Sequence, residues 1–189
     1  MKLKLIGIDP SLRNFGYASA IYDTDTDKLT VVGLELVSGK PADKSTKKKI
    51  RQNCIDLEDA KEQQRGMIAN TPGHALAMVE VPVGSQSARS MASYGICVGI
   101  LSSCPIPIIP VSPTEVKKAG FGVASATKEE QIEWAVAKHP EAPWLRVKKT
   151  QALLGKNEHL ADAVAALYAG IRTAEFQQTV ALMKQMSSQ

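Results

Sequence analysis

The sequence has no apolar run approaching eighteen residues, no pair of cysteines at metal or redox spacing and no internal repeat, and aromatic residues make up only 5% of it. Without a long apolar run there is no candidate membrane-spanning helix. The opening MKLKLIGIDP turns polar too early for a secretory h-region, so a cytoplasmic protein with no membrane partner is expected. Cys54, Cys97 and Cys104 are odd in number and widely separated, which excludes a disulfide framework and leaves three free thiols, expected to be buried. An excess of one charge sign is also missing, since the net charge is only +4 and gives no diagnosis of a polyanion ligand.

What is present is a globular composition. Hydrophobic residues reach 44% and charged residues 22% of 189, enough to bury one sizeable core, so residues 1 to 189 are expected to form a single domain. The charge is unevenly spread. Residues 117 to 156 hold Lys117, Lys118, Lys128, Lys138, Arg146, Lys148, Lys149 and Lys156 against Glu129, Glu130, Glu133 and Glu141. Such a segment can follow phosphates, although any single lysine in it is equally well read as a solvated surface charge.

β-Branched and aromatic runs at 3 to 9, 15 to 22 and 29 to 37 predict three consecutive antiparallel strands. The connection DTDTDK imitates the start of a calcium loop, but Lys28 and Leu34 stand where that loop needs glycine and glutamate, so it reads as a hairpin turn. From about 46 to 70, Ile50, Cys54, Leu57 and Ile68 recur at helical intervals and predict an amphipathic helix ended by Asn70-Thr71-Pro72-Gly73. ALAMVEV at 75 to 81 predicts a buried strand, and a helix follows over 86 to 103, with Gly95 and Gly99 spaced for close packing. The prolines of PIPIIPVSP confine any strand there to a sheet edge. Short helices near 113 to 119 and 127 to 138, a loop through HPEAPW and a helix from about 158 complete the chain. This order implies a five-stranded mixed sheet, three antiparallel strands and then two parallel, flanked by helices: an α/β architecture of the RNase H-like kind.

Acidic residues fall at the ends of these elements. Asp9 closes the first strand on the face of Leu3, Leu5 and Gly7, and Glu80 nears the end of the fourth on the face of Leu76 and Met78. If those strands are parallel neighbours, both carboxylates emerge at one carboxyl edge, where open α/β sheets bind ligands. Asp162 opens the last major helix and shares a face with His159, continued by Ala163, Ala166 and Gly170, small enough to let the helix lie close to the sheet. Taken singly, each has a plainer reading: a turn residue, a strand-end charge, a helix-start acid, a surface histidine. Together they suit divalent cations, because carboxylates crowded at one place repel until a cation sits between them. Magnesium fits such a site, and phosphodiester hydrolysis with two ions is its natural reaction.

GIDPSLRNFGYA at 7 to 18, AMVEVP at 77 to 82, VKKAGFGVASATK at 116 to 128 and HLADAVAALYAG at 159 to 170 together resemble, in order and separation, the RuvC family of Holliday junction resolvases. The resemblance implies a homodimeric, structure-selective DNA endonuclease that resolves four-way junctions and leaves a 5′-phosphate. Asp9, Glu80, His159 and Asp162 would be both catalytic and metal-binding, holding two magnesium ions that manganese can replace. Lys117 and Lys128 would approach the DNA backbone, with Lys118 of the same basic segment counted beside them. The chain departs from the family pattern at Ser11, which replaces a glycine, in the lysine-rich segment 40 to 51, and at Val83, where an aromatic often inserts into the junction. The tail from about 172, with Phe176, Val180 and Met183 on one face, is expected to extend the last helix and pack. Three other readings stay open: a nuclease for other branched DNA or hybrid duplexes, a junction-binding protein without catalysis, and an actin-like ATPase, for which the chain is too short. Titrating magnesium while watching for nicking separates enzyme from binder.

Overall fold

A computed structural model describes residues 1–39, 52–122 and 126–187. The first three strands, β1 (Lys2–Asp9), β2 (Asn14–Asp23) and β3 (Lys28–Ser38), form the expected antiparallel meander. Within the DTDTDK turn, Asp27 takes a left-handed φ of 55° and accepts the Tyr22 hydroxyl at 2.6 Å, while Asp23 accepts the Asp25 N–H at 3.0 Å. These aspartates are engaged in closing the hairpin, a use their short side chains suit.

The remaining elements follow as α1 (Gln52–Asn70), β4 (Leu76–Glu80), α2 (Ala88–Leu101), β5 (Ile108–Val111), α3 (Pro113–Phe121), α4 (Lys128–Lys138), α5 (Asn157–Gly170) and α6 (Ala174–Ser187). The sheet order is β3-β2-β1-β4-β5, with β4 parallel to β1 and β5 parallel to β4. The proline-rich strand lies at the edge, as the missing N–H donors require. Capping boxes start α3 and α4: Ser112 with Glu115, and Thr127 with Glu130.

Both faces of the sheet are covered. On one, Leu3, Leu5, Ala18, Ala20, Leu76 and Met78 pack under Leu160, Val164 and Leu167 of α5 and Phe176 and Val180 of α6. On the other, Ile6, Ile8, Phe15, Tyr17, Ala77 and Val79 meet Met67 of α1 and Cys97, Ile100 and Leu101 of α2. Burying one such aliphatic side chain contributes about 1.5–3 kcal/mol. The HPEAPW segment joins this core, because Trp144 is buried and its indole N–H donates to the His139 carbonyl at 2.8 Å.

Four expectations need correction. Leu57 and Ile68 are more than half exposed and Cys54 is exposed, while α1 buries Asp56, Asp59, Gln63, Gly66 and Met67 instead. Periodicity failed there because the helix turns polar residues inward, where Asp56 meets Arg89 and the Gln63 amide donates to the Leu12 and Val37 carbonyls. Gly95 and Gly99 meet open space, so their spacing serves no close packing among the described residues. The tail does not prolong α5: the chain breaks at residues 171 to 173 and starts α6, with the Thr173 hydroxyl accepting the Phe176 N–H at 3.2 Å. Of the three thiols expected to be buried, Cys54 is exposed and Cys104 half-buried, while Cys97 is buried. The predicted start of α1 near residue 46, the lysine-rich segment 40 to 51 and part of the 116 to 128 motif lie outside the described residues.

Candidate active site

Backbone packing decides where the site forms. A Cβ on Gly7 would stand 2.0 Å from the Ala163 carbonyl oxygen, and one on Gly16 would stand 2.2 Å from that of His159. Two glycines on adjacent strands thus form a notch in which the first turns of α5 lie directly on the sheet. The notch sits at the end of β1, so His159 and Asp162 are lowered onto Asp9. Asn157, wholly buried, fixes the start of the helix by accepting the Leu145 N–H at 2.9 Å and donating to the Leu145 and Leu154 carbonyls.

The four residues expected from the sequence come together. His159 Nδ1–H donates to Asp9 Oδ2 at 2.8 Å, which leaves Nε2 as the ring nitrogen available for other work. Parallel pairing of β4 beside β1 brings Glu80 to the same edge. Burial pushes Asp9 up despite its bond to His159. Burial, then the Asp9 carboxylate, raise Glu80 to about 7. Burial, then Asp9 and Glu80, raise Asp162 to about 8. For His159, burial favours the neutral ring, but the hydrogen bond and attraction of Asp9, aided by Glu158 and Asp162, raise it above its ordinary value. Three carboxyls that each resist ionisation, first because of burial and, for Glu80 and Asp162, also because of neighbouring carboxylates, mark one shared electrostatic site.

Among the described residues, no three His, Cys, Asp or Glu side chains form a ready-made metal cage. Asp9 gives one oxygen to His159 instead. The donor set nevertheless fits a hard divalent cation, since charge crowding on oxygen ligands is what such an ion relieves.

Asp9 and Glu80 open into a cleft of about 580 Å³, whose walls also include Arg13, Val83, Arg89, Ser93 and Tyr94. The placement of the lysines divides. Lys117 lies close enough to Glu80 to oppose its rise. Lys128 pairs with Glu158 at 2.5 Å, and that acid also lies 3.6 Å from His159 Nε2. Lys118 is not brought to the carboxylates but lines a separate recess with Glu115, Ala119 and Arg172. Sequence reasoning missed Glu158, Arg13 and Arg89. The first was legible as the neighbour of His159 in a helix-start turn, whereas nothing in the local pattern marked the arginines.

The strand order and flanking helices define an RNase H-like α/β protein. No protein-family model and no curated protein matches the sequence. Solved structures do. RuvC of Thermus thermophilus, determined in complex with a Holliday junction substrate, has 18% sequence identity and a TM-score of 0.59 over 88% of this chain and 92% of its own. The yeast mitochondrial Holliday junction resolvase gives 11% and 0.55 over 96% of this chain and 85% of its own, and the fowlpox virus resolvase 12% and 0.51 over 90% and 97%. The chain therefore has the RuvC-like form of the RNase H fold, and at these identities the likeness is one of fold.

Proposed function

We propose that the protein is a divalent-metal-dependent DNA endonuclease that resolves four-way junctions. The observation that carries this reading is the convergence of Asp9, Glu80 and Asp162, from β1, β4 and α5, into one partly buried site beside an open cleft. Its likeness in fold to structures of Holliday junction resolvases points the same way. Asp9, Glu80, Asp162 and His159 would hold two magnesium or manganese ions. When bound, the ions supply an activated water and stabilise the oxygen that leaves the phosphorus. Asp9 orients the imidazole through Nδ1, which leaves Nε2 as the one ring nitrogen that would either hold an ion or direct the proton of the attacking water. Lys117 and Lys128 neutralise the phosphate being cut, and Lys128 gives up its pairing with Glu158 as DNA arrives. In-line attack by water releases a 3′-hydroxyl and a 5′-phosphate.

A twofold junction asks for a twofold enzyme, and the exposed stripe of Met91, Gly95, Val98 and Gly99 on α2 offers an apolar face for a homodimer. Exposure of Val83 at the cleft mouth favours a second reading, in which forks and flaps are cut as well, because valine gives no stacking wedge. Rates on junction, fork and flap substrates measured in parallel separate the two. The primary test is cleavage of a synthetic four-way junction with magnesium or manganese. Asp9→Asn should keep binding and lose cleavage, and unimpaired cutting by that variant would overturn the assignment.

A further inference from the structure

The polar face that α1 turns inward also reaches two arginines that the site described above does not use. Asp56 and Asp59 are each about 4% exposed, yet both reach across to cations on other elements. Asp56 grips the Arg89 guanidinium with both oxygens: Nη2 donates to Oδ1 at 2.6 Å, and Nη1 donates to Oδ2. Asp59 Oδ2 lies 4.0 Å from Arg13 Nε, and buried Gln63 donates to the Leu12 carbonyl at 3.2 Å, one residue before that arginine. The Gly39 N–H holds the same turn through the Arg13 carbonyl at 2.8 Å. α1 thus acts as a bracket under the β1–β2 turn and the first turn of α2.

Both arginines remain about half exposed, with side-chain exposures of 59% for Arg13 and 44% for Arg89, and both line the cleft that contains Asp9 and Glu80. A guanidinium has five N–H donors, and among the described residues the fork to Asp56 leaves the remaining donors of Arg89 without a hydrogen-bond partner and fixed in direction. An arginine already held this way loses little freedom when an anion docks. The cleft therefore has an acidic floor and a basic wall. A strand whose cut phosphate sits at the floor must lay its neighbouring phosphates along that wall.

We infer that Arg89, gripped by Asp56, and Arg13, within ion-pair range of Asp59, form a binding site for DNA backbone phosphates that flank the phosphate to be cut. The inference rests on the nuclease reading above, and it makes Asp56 and Asp59 positioning residues. A phosphate contact has a signature that fold maintenance lacks: each one lost reduces the dependence of log affinity on log salt by about 0.9. That amounts to about eightfold in affinity for each tenfold dilution of salt.

The test is binding of a fluorescent synthetic four-way junction, by anisotropy, between 0.05 and 0.5 M NaCl with calcium in place of magnesium. Arg13→Ala and Arg89→Ala should each flatten the salt slope by about 0.9, the double variant by about twice that, and Arg89→Lys should restore the slope but not the cleavage rate. Arg13 is exposed, so its replacement keeps the test valid even if Arg89→Ala folds poorly. Slopes equal to wild type in Arg13→Ala and in any folded Arg89 variant would refute the basic wall while leaving the nuclease reading intact. Junction binding with the expected slopes but no metal-dependent cutting by wild type would remove the nuclease and keep the wall, and absence of binding by wild type would remove both.

Discussion

Replacing Asp162 with asparagine should stabilise the protein, by an amount that depends on pH, and should abolish its response to magnesium. Burial, Asp9 and Glu80 carry the Asp162 carboxyl from 3.8 to about 8. In the unfolded chain the group keeps its proton only below about pH 4. Between those values the folded protein binds more protons than the unfolded one, so stability falls as pH rises, by up to about 1.4 kcal/mol per pH unit. At pH 7 the ceiling is about 4 kcal/mol. One proton on any of Asp9, Glu80 and Asp162 relieves the repulsion felt by all three, so the gain expected from the isosteric amide is about 2 kcal/mol at pH 7 and close to none at pH 4. Urea unfolding in chelator, followed by tryptophan fluorescence at the two pH values, measures it. Magnesium at a hundred times its dissociation constant should then add about 2.7 kcal/mol to wild type and little to the variant. Equal stability of the two proteins at pH 7 in chelator would refute the idea that these carboxylates repel across one pocket.

The glycine notch predicts a contrast: Gly7→Ala should cost about 2–4 kcal/mol, because α5 must lift off the Ala163 carbonyl, while Gly95→Ala in open helix should gain about 0.5–1 kcal/mol, both read by thermal melting. Iodoacetamide should label Cys54 in the native protein and spare Cys97, whose thiol burial pushes to about 12; mass spectrometry that found both labelled at equal rates would contradict the packing of α2. Val83→Phe should raise the ratio of junction to fork cleavage several-fold by supplying a stacking ring at the cleft mouth, and an unchanged ratio would show that this position does not act as a wedge.

Much of this protein was legible in its sequence because period and punctuation agreed. Alternation set the face of Asp9 and Glu80, prolines put β5 at the edge, and small residues on α5 announced close approach to the sheet. What stayed hidden depended on partners far along the chain. Asp56 looks like a surface charge until Arg89 is brought beside it, and Leu57 looks like core until the helix is seen to be rotated. A periodicity argument assumes that apolar residues choose the buried side, and it fails where polar groups find their partners inside. The break before α6 was missed for a similar reason: Thr173 caps a new helix within a stretch whose composition alone reads as continuous.

The two faces of the sheet are built for different purposes. α5 has ten buried residues, most of them aliphatic, packed on one face of the sheet and against α3, and it seats its backbone in a notch that tolerates no side chain. That packing can offset the cost of holding Asp9, Glu80 and Asp162 close together, because each buried leucine or valine contributes about as much as one carboxyl pair costs. α1 on the opposite face has the reverse composition, with Asp56, Asp59 and Gln63 inside and Leu57 and Ile68 outside. A helix selected for stability alone would be rotated to bury the leucine and isoleucine. Its observed setting gives up that burial and instead holds Arg89 at the cleft with its fork to Asp56 already formed, and places Asp59 within ion-pair range of Arg13. The α5 side of the sheet thus seats the acids, and the α1 side, beneath its own core of Ile6, Ile8, Phe15 and Met67, presents the cations that a polyanionic strand would meet.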